Sequence, residues 1–275
     1  MKPLKPAEIL DTSIETSTVK AGGSFGKLFV LAFLAGAFIS FAAEGSNMAA
    51  FNLLASPGTY GLGKLTAGIV FGTGLMLVVL CGGELFTGNT LIIAAVADKK
   101  VTVAKMLRNW VVVYAGNLVG ALFIACMMNY SGLFSSGAGM LGAMTVKIAV
   151  NKVGLSFGQA FVLGIMCNWL VCLAVWLSFG ADTMAGKMLG IFFPISLFVT
   201  SGFEHSIANM YYIPAGILAK ANETFASLSG ASAEALESLN WLSFFTVNLI
   251  PVTLGNIVGG GIFVAMAYFY AYKKA

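Results

Sequence analysis

Long apolar segments of this chain are interrupted twice in the same way, by Gly82-Gly83-Glu84-Leu85-Phe86-Thr87-Gly88-Asn89 and by Gly202-Phe203-Glu204-His205-Ser206-Ile207-Ala208-Asn209. Both stretches read Gly-x-Glu-x-x-x-x-Asn, and the second contains the only histidine of the chain. Ionisable groups inside a bilayer are costly and commonly line a transport pathway. A matched pair of interrupted membrane helices in two halves of a sequence therefore predicts a transport site near the bilayer midplane.

The composition excludes a soluble protein. Hydrophobic residues make up 59% of the 275 residues and charged residues 9%, and the mean hydropathy is +0.91. Soluble domains carry about 25% charged residues. The length suffices for six spans of about 20 residues each, which predicts one membrane domain over residues 27–272. Residues 1–26 precede it, and the spacing of their apolar residues predicts a short amphipathic helix on the membrane surface.

Six apolar segments predict six membrane-spanning helices in an all-α protein. The segments are 27–50, 64–98, 104–130, 155–179, 187–219 and 243–272. The second and fifth are too long for one simple span and contain the interruptions, so each is interpreted as two half-helices joined by an irregular link. Such a link must be shielded by protein or line a water-filled cavity. Glu44, with the polar residues that follow it, is expected to mark the interface end of the first span.

Further repeated motifs extend the duplication beyond the interruptions. Gly116-Asn117-Leu118-Val119-Gly120 recurs as Gly255-Asn256-Ile257-Val258-Gly259, and Ala32-Phe33-x-x-Gly36 recurs as Ala160-Phe161-x-x-Gly164. A duplicated unit with an odd number of spans places its second copy upside down, so a 3+3 inverted repeat is predicted. Glycines four residues apart in these motifs are expected to allow close helix packing.

The basic residues predict the orientation. If the N-terminus is cytoplasmic, 11 lysines and arginines face inward and 4 face outward. The positive-inside rule then places both termini in the cytoplasm. The inward set is Lys2, Lys5, Lys20, Lys27, Lys99, Lys100, Lys105, Arg108, Lys187, Lys273 and Lys274, and the outward set is Lys64, Lys147, Lys152 and Lys220.

His205 is the leading candidate for a pathway residue. An imidazole both donates and accepts hydrogen bonds, and it titrates near physiological pH, so it can protonate or hydrogen-bond a weak-acid anion. The alternative is a structural histidine that joins two half-helices. Glu204 either orients the imidazole, caps a half-helix or acts as a protonated acid in the pore. Glu84, at the equivalent position, is interpreted as a helix cap.

Other residues near the interruptions have one functional and one structural interpretation each. The Thr87 hydroxyl binds an oxyanion or bonds back to the chain. The amides of Asn168 and Asn256 donate to a permeant anion or join helices, which is the commoner role. Lys152 attracts anions to a pore mouth or is a solvated loop lysine. Apolar side chains near the links form constrictions that exclude ions by dewetting or ordinary core; this set is Phe71, Leu75, Leu85, Phe86 and Phe198.

Several other classes of function are disfavoured. The four cysteines lie in apolar runs without CxxC spacing, so no metal, disulfide or other cofactor is predicted. The basic residues form no patch with interleaved aromatic residues, so nucleic-acid binding is set aside. A membrane enzyme would need further ligands or a nucleophile at the depth of the single histidine. An aquaporin-type channel for neutral solutes fits the interrupted helices, but neither interruption contains Asn-Pro-Ala.

The sequence resembles the formate/nitrite transporter family over essentially its whole length. The resemblance lies in Phe203-Glu204-His205-Ser206-Ile207-Ala208-Asn209-Met210, Glu84-Leu85-Phe86-Thr87, Asn168-Trp169-Leu170-Val171-Cys172-Leu173-Ala174 and the two Gly-Asn motifs. It implies an aquaporin-like fold of six spans, a homopentamer in the bacterial inner membrane and one anion pore in each protomer.

The resemblance also implies roles for single residues. His205 would be the central histidine, held by Glu204, with Thr87, Asn168 and Asn256 as its polar partners. Lys152 would be the outer lysine; Leu75, Leu85 and Thr87 would line the cytoplasmic side, and Phe71 and Phe198 the periplasmic side. The implied substrate is a small monoanion of a weak acid. Formate is the first choice, and nitrite or hydrosulfide is the alternative within the family.

Overall fold

Helices account for most of the computed structural model, which describes residues 3–273. They are α1 (Pro6–Ala21), α2 (Phe25–Ala55), α3 (Tyr60–Cys81), α4 (Phe86–Asn89), α5 (Ile92–Ala97), α6 (Val103–Ser131), α7 (Met140–Val153), α8 (Phe157–Gly180), α9 (Met184–Ser201), α10 (Ser206–Ala219), α11 (Glu223–Leu228), α12 (Ala233–Ser238) and α13 (Trp241–Lys273). Among these residues, six helices are long and apolar enough to cross a membrane: α2, α3 with the turn before it, α6, α8, α9 and α13. The predicted all-α fold with six membrane helices is confirmed. Lys2 and Lys274, used above for the orientation, lie outside the described residues.

Helices α3 and α9 end in the same way. Gly82 and Gly202 follow them with φ of +89° and +81°, a left-handed conformation that a side chain at Cβ disfavours. The next backbone N–H bonds back to the last turn, from Gly83 to Val78 at 2.6 Å and from Phe203 to Phe198 at 3.1 Å. This is the Schellman arrangement, which satisfies carbonyls at a helix end. Four non-helical residues follow in each case, 82–85 and 202–205, before α4 and α10 begin.

Glycines let α2 pack closely on α6 and α8 on α13. A Cβ atom built on Gly120 would lie 2.0 Å from the Phe33 carbonyl oxygen, and one on Gly259 would lie 2.3 Å from that of Ile165. Even a methyl group does not fit at these two glycines, because the backbone of the facing helix would have to move. The expected role of the glycines spaced four residues apart is confirmed.

The same contacts correct the alignment of the repeat in α2 and α8. Gly116 faces Phe29 and Ala32, whereas Gly255 faces Phe161 and Gly164. The counterpart of Ala32 is therefore Gly164, and the predicted pairing of Ala32 with Ala160 is wrong by one helical turn. A shift of four residues keeps a residue on the same helix face, so the pattern of small and apolar residues matches almost as well in the wrong register.

The N-terminal residues form the predicted helix, α1. Ile9, Leu10 and Ile14 are buried in a cluster formed with α5, α8 and the end of α13. Its apolar face thus contacts the protein itself, contrary to the expectation of a helix lying on lipid. Val19, near the C-terminal end of the helix, is 73% exposed.

Two further features differ from expectation. Lys152, for which a loop position was expected, lies in helix α7 (Met140–Val153). Glu44 does not mark the end of the first span, because α2 continues to Ala55. Glu44 is buried and accepts a hydrogen bond from the Tyr211 hydroxyl.

Candidate functional site

His205 caps α10 and reaches the segment after the first link. Its Nδ1 atom accepts a hydrogen bond from the Ala208 backbone N–H at 3.0 Å, and its Nε2 atom lies 3.0 Å from Thr87 Oγ1. Because an N–H points at Nδ1, the proton of the neutral imidazole is on Nε2 and is donated to the Thr87 oxygen. The ring is 3% exposed.

A cavity of about 670 Å³, called here the larger cavity, is lined in part by His205. Phe71 and Phe198 also line it. Their rings meet edge to face with centroids 5.6 Å apart, and the Phe198 ring stacks on the imidazole with centroids 5.9 Å apart. The two phenylalanines therefore form an apolar boundary beside the histidine.

A second cavity of about 290 Å³, called here the smaller cavity, is lined by Leu75 and Leu85. Thr87 is completely buried and lines neither of the two cavities. Phe71 and Phe198 thus lie on one cavity and Leu75 and Leu85 on the other, which is the division that the resemblance implies.

Glu204 does not hold the imidazole. Its Oε1 atom accepts from Lys152 Nζ at 2.7 Å, and its Oε2 atom accepts from Asn209 at 2.6 Å and from Asn248 at 3.2 Å. Asn248 also donates to the Lys152 backbone carbonyl at 3.0 Å. The carboxylate is occupied by one ammonium and two amides, so the expected contact with His205 is wrong. Asn248 lies in a π-helical segment of α13 (Phe244–Leu249), a deviation that is frequent at functional sites.

Glu84 is the centre of a matching network on the smaller cavity. Its Oε2 atom accepts from Asn89 at 2.7 Å and from Lys20 at 3.2 Å. Asn109 accepts a hydrogen bond from the Asn89 amide at 2.9 Å and donates one to the Lys20 backbone carbonyl at 3.0 Å. In the other network, Asn248 makes the same two bonds to Asn209 and to the Lys152 carbonyl. In both interruptions the asparagine stands five residues after the glutamate, and its amide donates a hydrogen bond to the carboxylate of that glutamate. This hydrogen bond explains why the spacing is the same in the two interruptions.

Sequence reasoning missed Lys20 as the counterpart of Lys152, although a signal was present. The segment before α2 reads Lys20-x-Gly22-x-Ser24-Phe25-Gly26, and the segment before α8 reads Lys152-x-Gly154-x-Ser156-Phe157-Gly158. The lysines lie near the ends of α1 and α7. The matching motifs therefore begin before the first residue of α2 and before the first residue of α8.

Asn117 and Asn256 hold the two links in equivalent ways. Asn256 donates to the Gly164 and Glu204 carbonyls at 2.8 and 3.0 Å and accepts from the Ser206 N–H at 2.9 Å. Asn117 makes the corresponding bonds to Ala32, Glu84 and Phe86. The hydrogen-bonding groups of the Asn256 amide are all used.

Asn168 also joins segments of the chain. Its amide nitrogen lies within 3.1 Å of the Thr87 carbonyl, Thr90 Oγ1 and the Asn256 carbonyl. Neither Asn168 nor Asn256 lines either of the two cavities. Of the two interpretations of these amides, the structure therefore supports the structural one. Their placement on the substrate pathway is not supported.

Phe86 is not part of a constriction. Its ring packs edge to face against Trp110 and Tyr114 of α6, with centroids 5.8 and 4.9 Å apart, and it lines neither cavity. Phe86 is the first residue of α4, and its side chain contacts α6, whereas the Thr87 hydroxyl contacts His205. Adjacent residues at the start of a helix point in different directions, which the string Leu85-Phe86-Thr87 alone does not resolve.

The chain matches the family model described as formate/nitrite transporter over residues 7–270. It is 41% identical to the formate channel FocA of Escherichia coli K12, covering 98% of this chain and 95% of that protein. It is also 41% identical to a probable formate transporter of Methanothermobacter thermautotrophicus, covering 98% and 97%.

Solved structures give the same result. A pentameric formate channel with formate bound is similar with a TM-score of 0.83 and 43% identity, over 90% of this chain and 98% of that one. An FNT family ion channel is similar with a TM-score of 0.81 and 26% identity, over 96% and 98%. The chain, a multi-pass membrane protein with matched networks around two interruptions, belongs to the formate/nitrite transporter family.

Proposed function

We propose that this protein is a channel for formate and other small monoanions of weak acids. The observation that carries the proposal is the His205–Thr87 contact beside two cavities, each lined by an apolar pair of side chains. The relatives named as formate channels support the choice of formate. Nitrite and hydrosulfide, which have the same charge, are the alternatives to be tested beside it.

The apolar boundaries decide the form in which the solute crosses. Moving a bare anion into an apolar slit such as that between Phe71 and Phe198 costs many kcal/mol, because the charge loses its water. A weak acid that takes a proton in the cavity becomes neutral and avoids most of this cost. An anion of a strong acid, such as chloride, has no such neutral form at neutral pH and is excluded.

His205 acts in this scheme as a hydrogen-bond donor. Its Nδ1 atom is engaged by the Ala208 N–H, so a second ring proton would displace this helix cap. The Nε2 proton and the Thr87 hydroxyl are the groups that can replace solvent hydrogen bonds for a solute between the cavities. Water in the cavities is then the proton source for the permeant acid.

The matched networks support an inverted 3+3 repeat in which α3 with α4–α5, and α9 with α10, are discontinuous spans. The Lys20–Glu84 and Lys152–Glu204 pairs would then lie at opposite faces of the membrane. The excess of basic residues on the Lys20 side supports cytoplasmic termini, with the larger cavity opening outward. We further propose a homopentamer in the bacterial inner membrane that acts as a channel and has no enzymatic activity.

The purified protein in liposomes tests the proposal. We expect formate uptake above protein-free liposomes, faster at lower external pH, with nitrite and hydrosulfide transported to different extents and chloride excluded. Chloride uptake at the same rate as formate, or no uptake of any weak-acid anion, would overturn it.

A further inference from the structure

The charged side chains that line the larger cavity do not act equally strongly on an anion inside it. Lys64, Lys147 and Lys152 line it together with one carboxylate, Glu204. Lys152 is tied to that carboxylate at 2.7 Å, and its ammonium also lies 5.2 Å from the centre of the Tyr212 ring. The charges of Lys152 and Glu204 therefore largely cancel at the distance of a solute in the cavity.

Lys64 has no such ion pair. Within residues 3–273, no carboxylate forms an ion pair with it, and no side-chain hydrogen bond of its ammonium is found. It is half-buried, so its field is screened less than that of Lys147, which is exposed at the same cavity. Of the two cavity lysines that form no ion pair among the described residues, Lys64 is thus the more buried.

Its ammonium lies at the start of the link that carries His205. A Cβ atom built on Gly202 would be 3.4 Å from Lys64 Nζ, and His205 follows three residues later. The side chain of Asn47 lines the same cavity. Asn47 is only 3% exposed, and its amide nitrogen has no hydrogen-bond partner among the described residues.

We propose that Lys64 holds the permeant monoanion in the larger cavity before it reaches Phe71 and Phe198, with the unpartnered Asn47 amide as a second donor. The inference rests on the proposed function and assigns the anion-holding charge to Lys64 rather than to Lys152. Its ligand class is a small monovalent anion such as formate. Divalent or bulky anions would not pass the apolar boundary formed by Phe71 and Phe198.

A competing role for Lys64 is structural. Its ammonium lies near the C-terminal end of α9, where a cation is favoured by the helix dipole. That role alone would change thermal stability when the charge is removed, while leaving formate uptake per folded channel unchanged. Anion holding has the opposite signature, so the two roles are separable by measuring both quantities.

The test compares Lys64→Met, Lys64→Arg and wild type in liposomes at low formate and low ionic strength. Lys105→Met is the matched control, because it removes the same charge from an exposed lysine of α6 that does not line the larger cavity. We expect Lys64→Met to lower initial formate uptake at least about fivefold, which is the size of a charge interaction over a few ångströms. Lys64→Arg and Lys105→Met should stay close to wild type, and added impermeant salt should shrink the loss.

A cysteine variant keeps the test valid if Lys64→Met does not fold. Lys64→Cys, with the exposed Cys81 and Cys126 changed to serine, is treated with membrane-impermeant thiosulfonates that attach a positive or a negative group. The positive group should restore uptake and the negative group should reduce it further. Equal uptake after both reagents, or unchanged uptake in Lys64→Met with wild-type transport intact, overturns the inference alone. Loss of all weak-acid transport in wild type overturns the proposed function instead.

Discussion

The Nε2 atom of His205 lies 3.0 Å from the Oγ1 atom of Thr87, so the last residue of the second non-helical link contacts the helix that follows the first link. Both groups are buried. His205 lines the larger cavity together with Phe71 and Phe198, and Leu85 and Gly88, which stand close to Thr87 in sequence, line the smaller cavity. On the proposed pathway, a solute that moves between the cavities must pass this hydrogen bond or replace it.

Thr87→Val tests the hydroxyl, because valine keeps the shape of threonine and removes its hydrogen bonds. The buried Nε2 proton loses its acceptor, which costs about 1–3 kcal/mol of folding free energy. We expect a lower melting temperature in detergent and a clear loss of formate uptake in liposomes. Thr87→Ser is the control and should retain both. Full uptake by Thr87→Val would show that the hydroxyl has no part in conduction.

His205 has two separable roles, and two variants distinguish them. Asparagine is a good helix cap, so His205→Asn keeps a bond to the Ala208 N–H but does not reach Thr87. His205→Phe loses both and should cost about 1 kcal/mol of stability for the cap.

We expect formate uptake to fall in both His205 variants, and the melting temperature to fall further in His205→Phe, which loses the cap as well as the bond to Thr87. The rise of uptake with falling pH should remain in His205→Phe at the lower rate, because water rather than the imidazole protonates the permeant acid. Wild-type rates of uptake by His205→Phe would remove His205 from the mechanism.

The sequence predicts the spans and the interruptions because hydropathy and glycine report directly on a membrane environment. Six apolar segments agree with six helices, and the interruptions coincide with residues 82–85 and 202–205. The single histidine and the repeated glutamates mark the same places, because polar residues are rare at that depth.

Partners in the networks are harder to predict, because a residue type does not specify what its side chain contacts. Glu204 stands next to His205 in sequence, yet it bonds Lys152 and Asn248 from other helices. Phe86 stands between Leu85 and Thr87 but packs against α6. The contact of Lys20 with Glu84 could be predicted only by aligning the segment before α2 with the segment before α8. Both segments lie outside the membrane-spanning helices.

Gly120→Ala tests the close approach of α2 and α6. The added Cβ would lie 2.0 Å from the Phe33 carbonyl oxygen, so the two backbones must separate. Overpacking of this kind costs about 1–3 kcal/mol, and we expect a lower melting temperature. Gly61→Ala is the control, because nothing lies within 4 Å of its added Cβ and alanine favours a helix. Equal melting temperatures of the two variants would contradict the packing argument.

Double-mutant cycles compare the ion pairs of the two networks. Lys152 and Glu204 are 2.7 Å apart with side chains 15% and 7% exposed, whereas Lys20 and Glu84 are 3.2 Å apart with side chains 28% and 10% exposed. Removing one partner of a buried pair costs about 3–5 kcal/mol because the other charge is left unpaired, and solvent reduces this cost at the more exposed pair. We therefore expect a larger coupling energy for Lys152–Glu204 than for Lys20–Glu84, measured from the unfolding of single and double variants.

The same variants separate the charge of Lys152 from its structural bond. Lys152→Met leaves Glu204 negative in the larger cavity, so anion uptake should fall, most strongly at low salt. Lys152→Met combined with Glu204→Gln restores the net charge of the cavity and should recover uptake in the fraction of protein that remains folded. If the double variant stays as slow as Lys152→Met alone at every salt concentration, the lysine acts on the anion by direct contact, and the cancellation of its charge by Glu204 is wrong.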